Sequence, residues 1–117
     1  VDHEAVAVEW FAAFNAHDLE RLLALYDDDA RHFSPKLKIR KPETGGWVSG
    51  KSALRDWWAD AFERLPSLHY GMTSLTANDG RVFMEYIRSV EGEEDMLVAE
   101  VLEIQNNKII ASRVYHG

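Results

Sequence analysis

The hexapeptide ARHFSP, residues 30–35, sets His32 two residues before Ser34, with Pro35 directly after. In an extended strand, residues i and i+2 share a face, so both side chains point the same way. A histidine on a concave wall can act as general base; the other reading is a hydrogen-bonded wall residue. A Ser–His nucleophile also needs an orienting Asp, and none is evident. Glu100 forms a second constellation, with Val98, Leu102 and Ile104 on its own strand face. Apolar surroundings raise a carboxyl's pKa, and a nearby arginine lowers it again. Neutral, the group donates a hydrogen bond; ionised, it accepts a proton. A hairpin turning at 92–94 predicts Tyr86 directly opposite Glu100 and Arg88 diagonal to it. The competing reading is a satisfied Glu–Arg pair without chemistry.

Other chemistries find less support. His3, His17, His32, His69 and His116 show no H-x-H or i, i+4 spacing, so no metal is expected. DDDARHF lacks the glycine and spacing of a calcium loop. There is no cysteine, hence no thiol nucleophile or disulfide. No glycine-rich phosphate motif is present, and no cofactor is expected. The net charge of −7 argues against a nucleic-acid partner. One basic run, KLKIRK at 36–41, either meets an anion or is a solvated loop. No apolar run approaches the ~18 residues of a membrane span, and the default expectation is a cytoplasmic protein that does not bind membranes.

These side chains need a scaffold. The 117 residues, 46% of them hydrophobic, suit one domain with a single core. Val6, Trp10, Phe11 and Phe14 recur at helical spacing, predicting a helix over 3–15. Asp18 is a candidate N-cap for a second helix carrying Leu19, Leu22, Leu23 and Tyr26, expected to end near Tyr26 or Asp27. Residues up to Pro35 should then be extended, and 36–50 loop-like, with Trp47 either a lid over the pocket mouth or packed on the surface. A third helix carries Leu54, Trp57, Trp58, Ala61, Phe62 and Leu65, and Pro66 stops it. Turn signals at 78–80, 91–94 and 106–107 divide the remainder into strands 67–77, 81–90, 95–105 and 108–116. Helices followed by an antiparallel meander predict an α+β fold with helices on one face of a curved sheet. In 81–90, Val82, Met84, Tyr86, Arg88 and Val90 share a face, yet Phe83 and Ile87 stand on the other. Residues 95–105 repeat this, with Leu97, Ala99 and Val101 opposite Glu100. A sheet apolar on both faces predicts a homodimer through its outer face.

WFAAFNAHDLERLLALYDDDARHFSP, then GKSALRDWW, then the meander ending NKIIASRVY resemble the NTF2-like superfamily, in its SnoaL-like and ketosteroid-isomerase-like branches. The resemblance implies a cone: a curved antiparallel sheet around a pocket, completed by three N-terminal helices and commonly dimeric. It does not imply one activity. Matched to the isomerase pattern, the base position falls on Ser34, the tyrosine position on Trp10 and the late-strand acid on Glu100. One role in three is kept, so that reaction is not expected. The epoxide-hydrolase relay of related members also fails, because Val90 stands where its second carboxylate belongs. The resemblance turns Ser112, Val114 and His116 inward, whereas a strict two-residue turn at 106–107 turns Arg113 and Tyr115 inward instead. The implied ligand is a small apolar or carbonyl-containing molecule, lined by Trp10, Phe14, Tyr26, Ser34, Trp58, Met84, Tyr86 and His116. Glu100, His32 and Arg88 are the candidates for acid–base chemistry of cyclase, isomerase or dehydratase type. The alternative is a binding or protein-interaction module of the same fold.

Overall fold

The computed structural model describes residues 2–116. Helix α1 spans His3–Asn15, capped by the Asp2 carboxylate, which accepts from the amides of Glu4 and Ala5. Its buried stripe is Ala7, Trp10, Phe11, Ala13 and Phe14. Helix α2, Leu19–Leu23, is capped as expected by Asp18, which accepts from the Arg21 amide. It is shorter than its apolar stripe predicts. Tyr26 does not close the helix; it opens strand β1, Tyr26–Phe33. The Ile109 amide donates to the Leu25 carbonyl at 2.8 Å, and Tyr26 pairs with Ile109. Sheet pairing thus captures the chain before a second helical turn is complete, and Asp28 and Asp29 are exposed on the strand, not at a helix end.

Residues 36–50 are not a loop. Helix α3, Pro35–Arg40, follows an extended Ser34. Pro35 does end the strand, but its fixed φ also suits the first helical position. After a 3₁₀ turn over Pro42–Thr44 comes strand β2, Trp47–Ser49, antiparallel to β1. Gly46 joins them with φ 94°, and a Cβ there would lie 2.5 Å from the Phe33 ring. Trp47 is no lid. It packs on Phe33, with the Arg31 guanidinium 4.6 Å above its ring.

Helix α4, Lys51–Arg64, buries Leu54 and Trp58. Strands β3 (His69–Ala77), β4 (Arg81–Ser89), β5 (Met96–Gln105) and β6 (Lys108–His116) form the predicted meander. The fold is α+β. Its six-stranded, curved and unclosed sheet has the order β2-β1-β6-β5-β4-β3, and the helices pack on its inner face. The sheet is antiparallel except that β1 runs parallel to β6. The expected three helices are four α-helices, α2 and α3 being short.

Two registers decide what faces inward. At 106–107 the turn is the two-residue kind, with Asn106 and Asn107 both at positive φ and Gln105 opposite Lys108. The pairing then slips: Ile104 is opposite Ile109 but Glu103 is opposite Ala111, so Ile110 is bulged out. The extra residue brings Ser112 opposite Leu102 and Val114 opposite Glu100, and sends Arg113 outward. Between β4 and β5 the turn is centred on Gly92, with φ 85°, one residue earlier than expected. Met84, not Tyr86, is therefore directly opposite Glu100.

Candidate functional site

Between the inner face of the sheet and helices α3 and α4 lies a cavity of about 310 Å³, at the lower end of the ~300–1,000 Å³ typical of small-molecule sites. Phe14, Trp58, Tyr70 and Tyr86 supply aromatic wall, and Leu68, Val98 and Val114 aliphatic wall. The aromatics are locked by stacking, with Phe14–Tyr70 centroids at 4.1 Å and Tyr70–Tyr86 at 4.2 Å. Strand β1 contributes His32, the residue after it Ser34, β4 Arg88 and β6 His116.

Glu100, Trp10, Tyr26 and Met84 do not line the cavity. All are within 1% of full burial and stand behind the wall. Glu100 reaches it through Tyr86, whose hydroxyl donates to Oε1 at 2.7 Å despite the diagonal pairing. Oε2 has no partner among the described residues. Burial pushes this carboxyl up to about 8, and the Tyr86 hydrogen bond only partly offsets it. At neutral pH it is mainly the protonated acid. Burial, then the adjacent Glu100, raises the Tyr86 phenol well above its ordinary value. Arg88 does not tune Glu100. One pairing further along, it turns to Glu93, with Nη1 donating to Oε1 at 2.8 Å.

A second buried chain ends on the cavity at His32. The Trp10 indole donates to the Tyr26 hydroxyl at 3.1 Å. That hydroxyl lies 3.0 Å from Ser112 Oγ, which lies 2.7 Å from His32 Nδ1. Indole N–H is a donor only, so Tyr26 accepts from it, and the phenol proton of Tyr26 needs Ser112 as acceptor. The Ser112 proton then goes to Nδ1. Every group is satisfied one way: Trp10 to Tyr26 to Ser112 to His32, leaving the proton of the imidazole on Nε2. Burial holds the His32 pKa down to about 3, so the ring is neutral. It presents an N–H donor, not the general base that its sequence position allowed.

Ser34 lines the cavity and is nearly buried, in the position that the resemblance assigned to a base. The rim carries Lys36 and Arg40 from α3, members of the basic run KLKIRK, together with two residues the sequence reading did not single out, Arg64 from α4 and Glu93 from the β4–β5 loop. What the loop expectation for 36–50 hid is their placement: Pro35 starts a helix, which puts Lys36 and Arg40 at i and i+4 on one face. Nothing local marks Arg64 or Glu93. Among the described residues no group of three or more His, Cys, Asp or Glu side chains is placed to hold a metal, and no helix is long and apolar enough to cross a membrane.

Comparison with known proteins gives one family. The sequence model of the SnoaL-like domain matches residues 7–112. No curated protein matches the chain. Among solved structures, a SnoaL-like protein of unknown function from Burkholderia thailandensis is similar at 25% identity and TM-score 0.87, over 97% of this chain and 92% of its own. A candidate polyketide cyclase from Sinorhizobium meliloti is similar in fold at 15% identity and TM-score 0.80, over 95% and 94%. A candidate ketosteroid isomerase from Kribbella flavida shares the fold at 18% identity and TM-score 0.78, over 97% and 76%.

Proposed function

The chain belongs to the SnoaL-like family, and from that premise we propose that its cavity takes a small, largely apolar molecule bearing a carbonyl and polarises that carbonyl for acid–base chemistry of the cyclase, isomerase or dehydratase type. The Tyr86–Glu100 pair carries this reading. As placed, the Tyr86 hydroxyl donates to Glu100 Oε1; when a ligand enters beside a protonated Glu100 the pair reverses, the carboxyl proton going to the Tyr86 oxygen and the phenol proton turning to the cavity. A carbonyl oxygen there accepts from Tyr86 and from His32 Nε2. Charge developing on it as the α-carbon loses a proton to water is then spread over donors already in place.

A second reading is binding without turnover. It is favoured by the wall's poverty in bases: Glu93 is held by Arg88, and Ser34 replaces the carboxylate of a related isomerase. The two separate on a probe ketone, 2-acetonaphthone, in D₂O. The catalytic reading expects the protein to accelerate exchange of the methyl hydrogens, followed by NMR. Tyr86→Phe should then slow the exchange roughly 100-fold, and Glu100→Gln should slow it by less. Quenching of tryptophan fluorescence without faster exchange establishes the binding module. No binding overturns both.

We also propose that the protein pairs with a second copy through the outer face of the sheet. Phe83, Leu97 and Tyr115 stand there 42%, 67% and 48% exposed, beside Ile87 and Ala99. An apolar face of this kind on a chain of net charge −7 supports an interface.

A further inference from the structure

We propose that the ligand of this cavity is an anion: a small aromatic or alicyclic carboxylate whose charged end lies among Lys36, Arg88 and His116 and whose body lies against Trp58 and Tyr70. This rests on the reading of the cavity as a ligand site and names the substrate class. Four cationic side chains from three separate elements converge on one cavity: Lys36 and Arg40 from α3, Arg64 from α4 and Arg88 from β4. They do so in a chain of net charge −7. Two carboxylates answer them. Glu93 takes Arg88, and Asp60 is shared by Arg64 at 2.8 Å and Arg40 at 3.7 Å. Lys36 makes no ion pair among the described residues.

Arg88 is the sharper anomaly. It is only 5% exposed, and its partner Glu93 is a half-exposed loop side chain. A guanidinium carries five N–H donors in a rigid fork suited to a carboxylate, and Glu93 takes one of them. At the same polar end of the cavity His32 Nε2 also donates. That end is complementary to an acceptor-rich, negatively charged group, while the aromatic and aliphatic wall takes the apolar body. The like charges already press on one another. Burial first, then Arg88 and Arg64, hold the Lys36 ammonium below its ordinary range, with Glu93 opposing. Burial, then Lys36 and Arg88, do the same to His116. An anion among them relieves both.

Two probes of equal ring size separate the possibilities: 2-naphthoate and the neutral ketone 2-acetonaphthone, titrated against the full chain by tryptophan fluorescence at low salt. Naphthoate should bind roughly tenfold tighter, as a charge-assisted hydrogen bond warrants, and lose that advantage as salt rises. Arg88 is buried and its replacement risks the fold, so the variant is Lys36→Gln at a half-buried position. It should weaken naphthoate severalfold and the ketone by a much smaller factor. His116, followed by NMR, should titrate at higher pH with naphthoate bound. Equal affinities, or indifference of naphthoate to Lys36→Gln, overturn the anion proposal while the ligand-site reading stands. Failure of both probes to bind overturns that reading and this one with it.

Discussion

Ser112 has no chemistry of its own, yet it decides what His32 offers the cavity. Its single hydroxyl proton is committed to Nδ1 because Tyr26, itself receiving from Trp10, must give its own proton to Ser112. Nitrogen-15 NMR of the imidazole should show Nε2 protonated and Nδ1 bare; the opposite tautomer overturns the direction of the chain. Ser112→Ala leaves Tyr26 without an acceptor and Nδ1 without a donor, both buried. Each costs roughly 1–3 kcal/mol, so urea unfolding should show a loss of that order or twice it, with the tautomer no longer held. Residue type was legible at this scale and role was not. Glu100 stood out in the sequence because a carboxylate among Val98, Leu102 and Ile104 is conspicuous. That it stands behind Tyr86, apart from Arg88, follows from a turn centred one residue earlier than 92–94, and local pattern does not carry that information.

Elements were legible where amphipathic stripes run long, as in α1, α4 and the β3–β6 meander. They were not where tertiary pairing overrides a local preference. Leu19, Leu22, Leu23 and Tyr26 fit a helix, but β6 draws Tyr26 into a strand. KLKIRK carried no stripe long enough to mark α3. For β6 the two competing registers were each half right: the tight turn at Asn106 and Asn107 exists, and the bulge at Ile110 restores the frame that the resemblance implied. The outer face of β4, β5 and β6 yields a prediction at this scale. Leu97 is the most exposed of its apolar side chains and points away from the cavity, so Leu97→Glu should leave ligand binding intact. Light scattering after size exclusion should give the mass of a dimer for the native chain and of a monomer for the variant. A native monomer at tens of micromolar overturns the proposed pairing.

For the whole molecule Glu100 and His32, the buried acid and the buried imidazole, set a pH profile between about pH 3 and 8. Glu100 stays protonated in the fold up to about pH 8, against 4.5 when unfolded. Its contribution to stability is full below 4.5 and is lost as pH rises toward 8. His32 stays neutral in the fold down to about pH 3, against 6.5 unfolded. Its contribution is full above 6.5 and is lost as pH falls toward 3. Between 4.5 and 6.5 the two slopes oppose and cancel, leaving a plateau with a decline on either side. Urea unfolding across pH should trace it, and Glu100→Gln should abolish the alkaline decline while sparing the acid one. Stability that keeps rising from pH 6.5 to 8 overturns a neutral Glu100 in the fold. The parallel pairing of β1 with β6 also has a consequence in time. His32 and Ser112 are 80 residues apart in the chain, and the first long strand has no neighbour on that side until the last is made. A chain cut short before residue 112 would therefore carry Lys36, Arg40, Arg64, Arg88, the aromatic wall and Glu100, but not the serine that holds His32 as a donor.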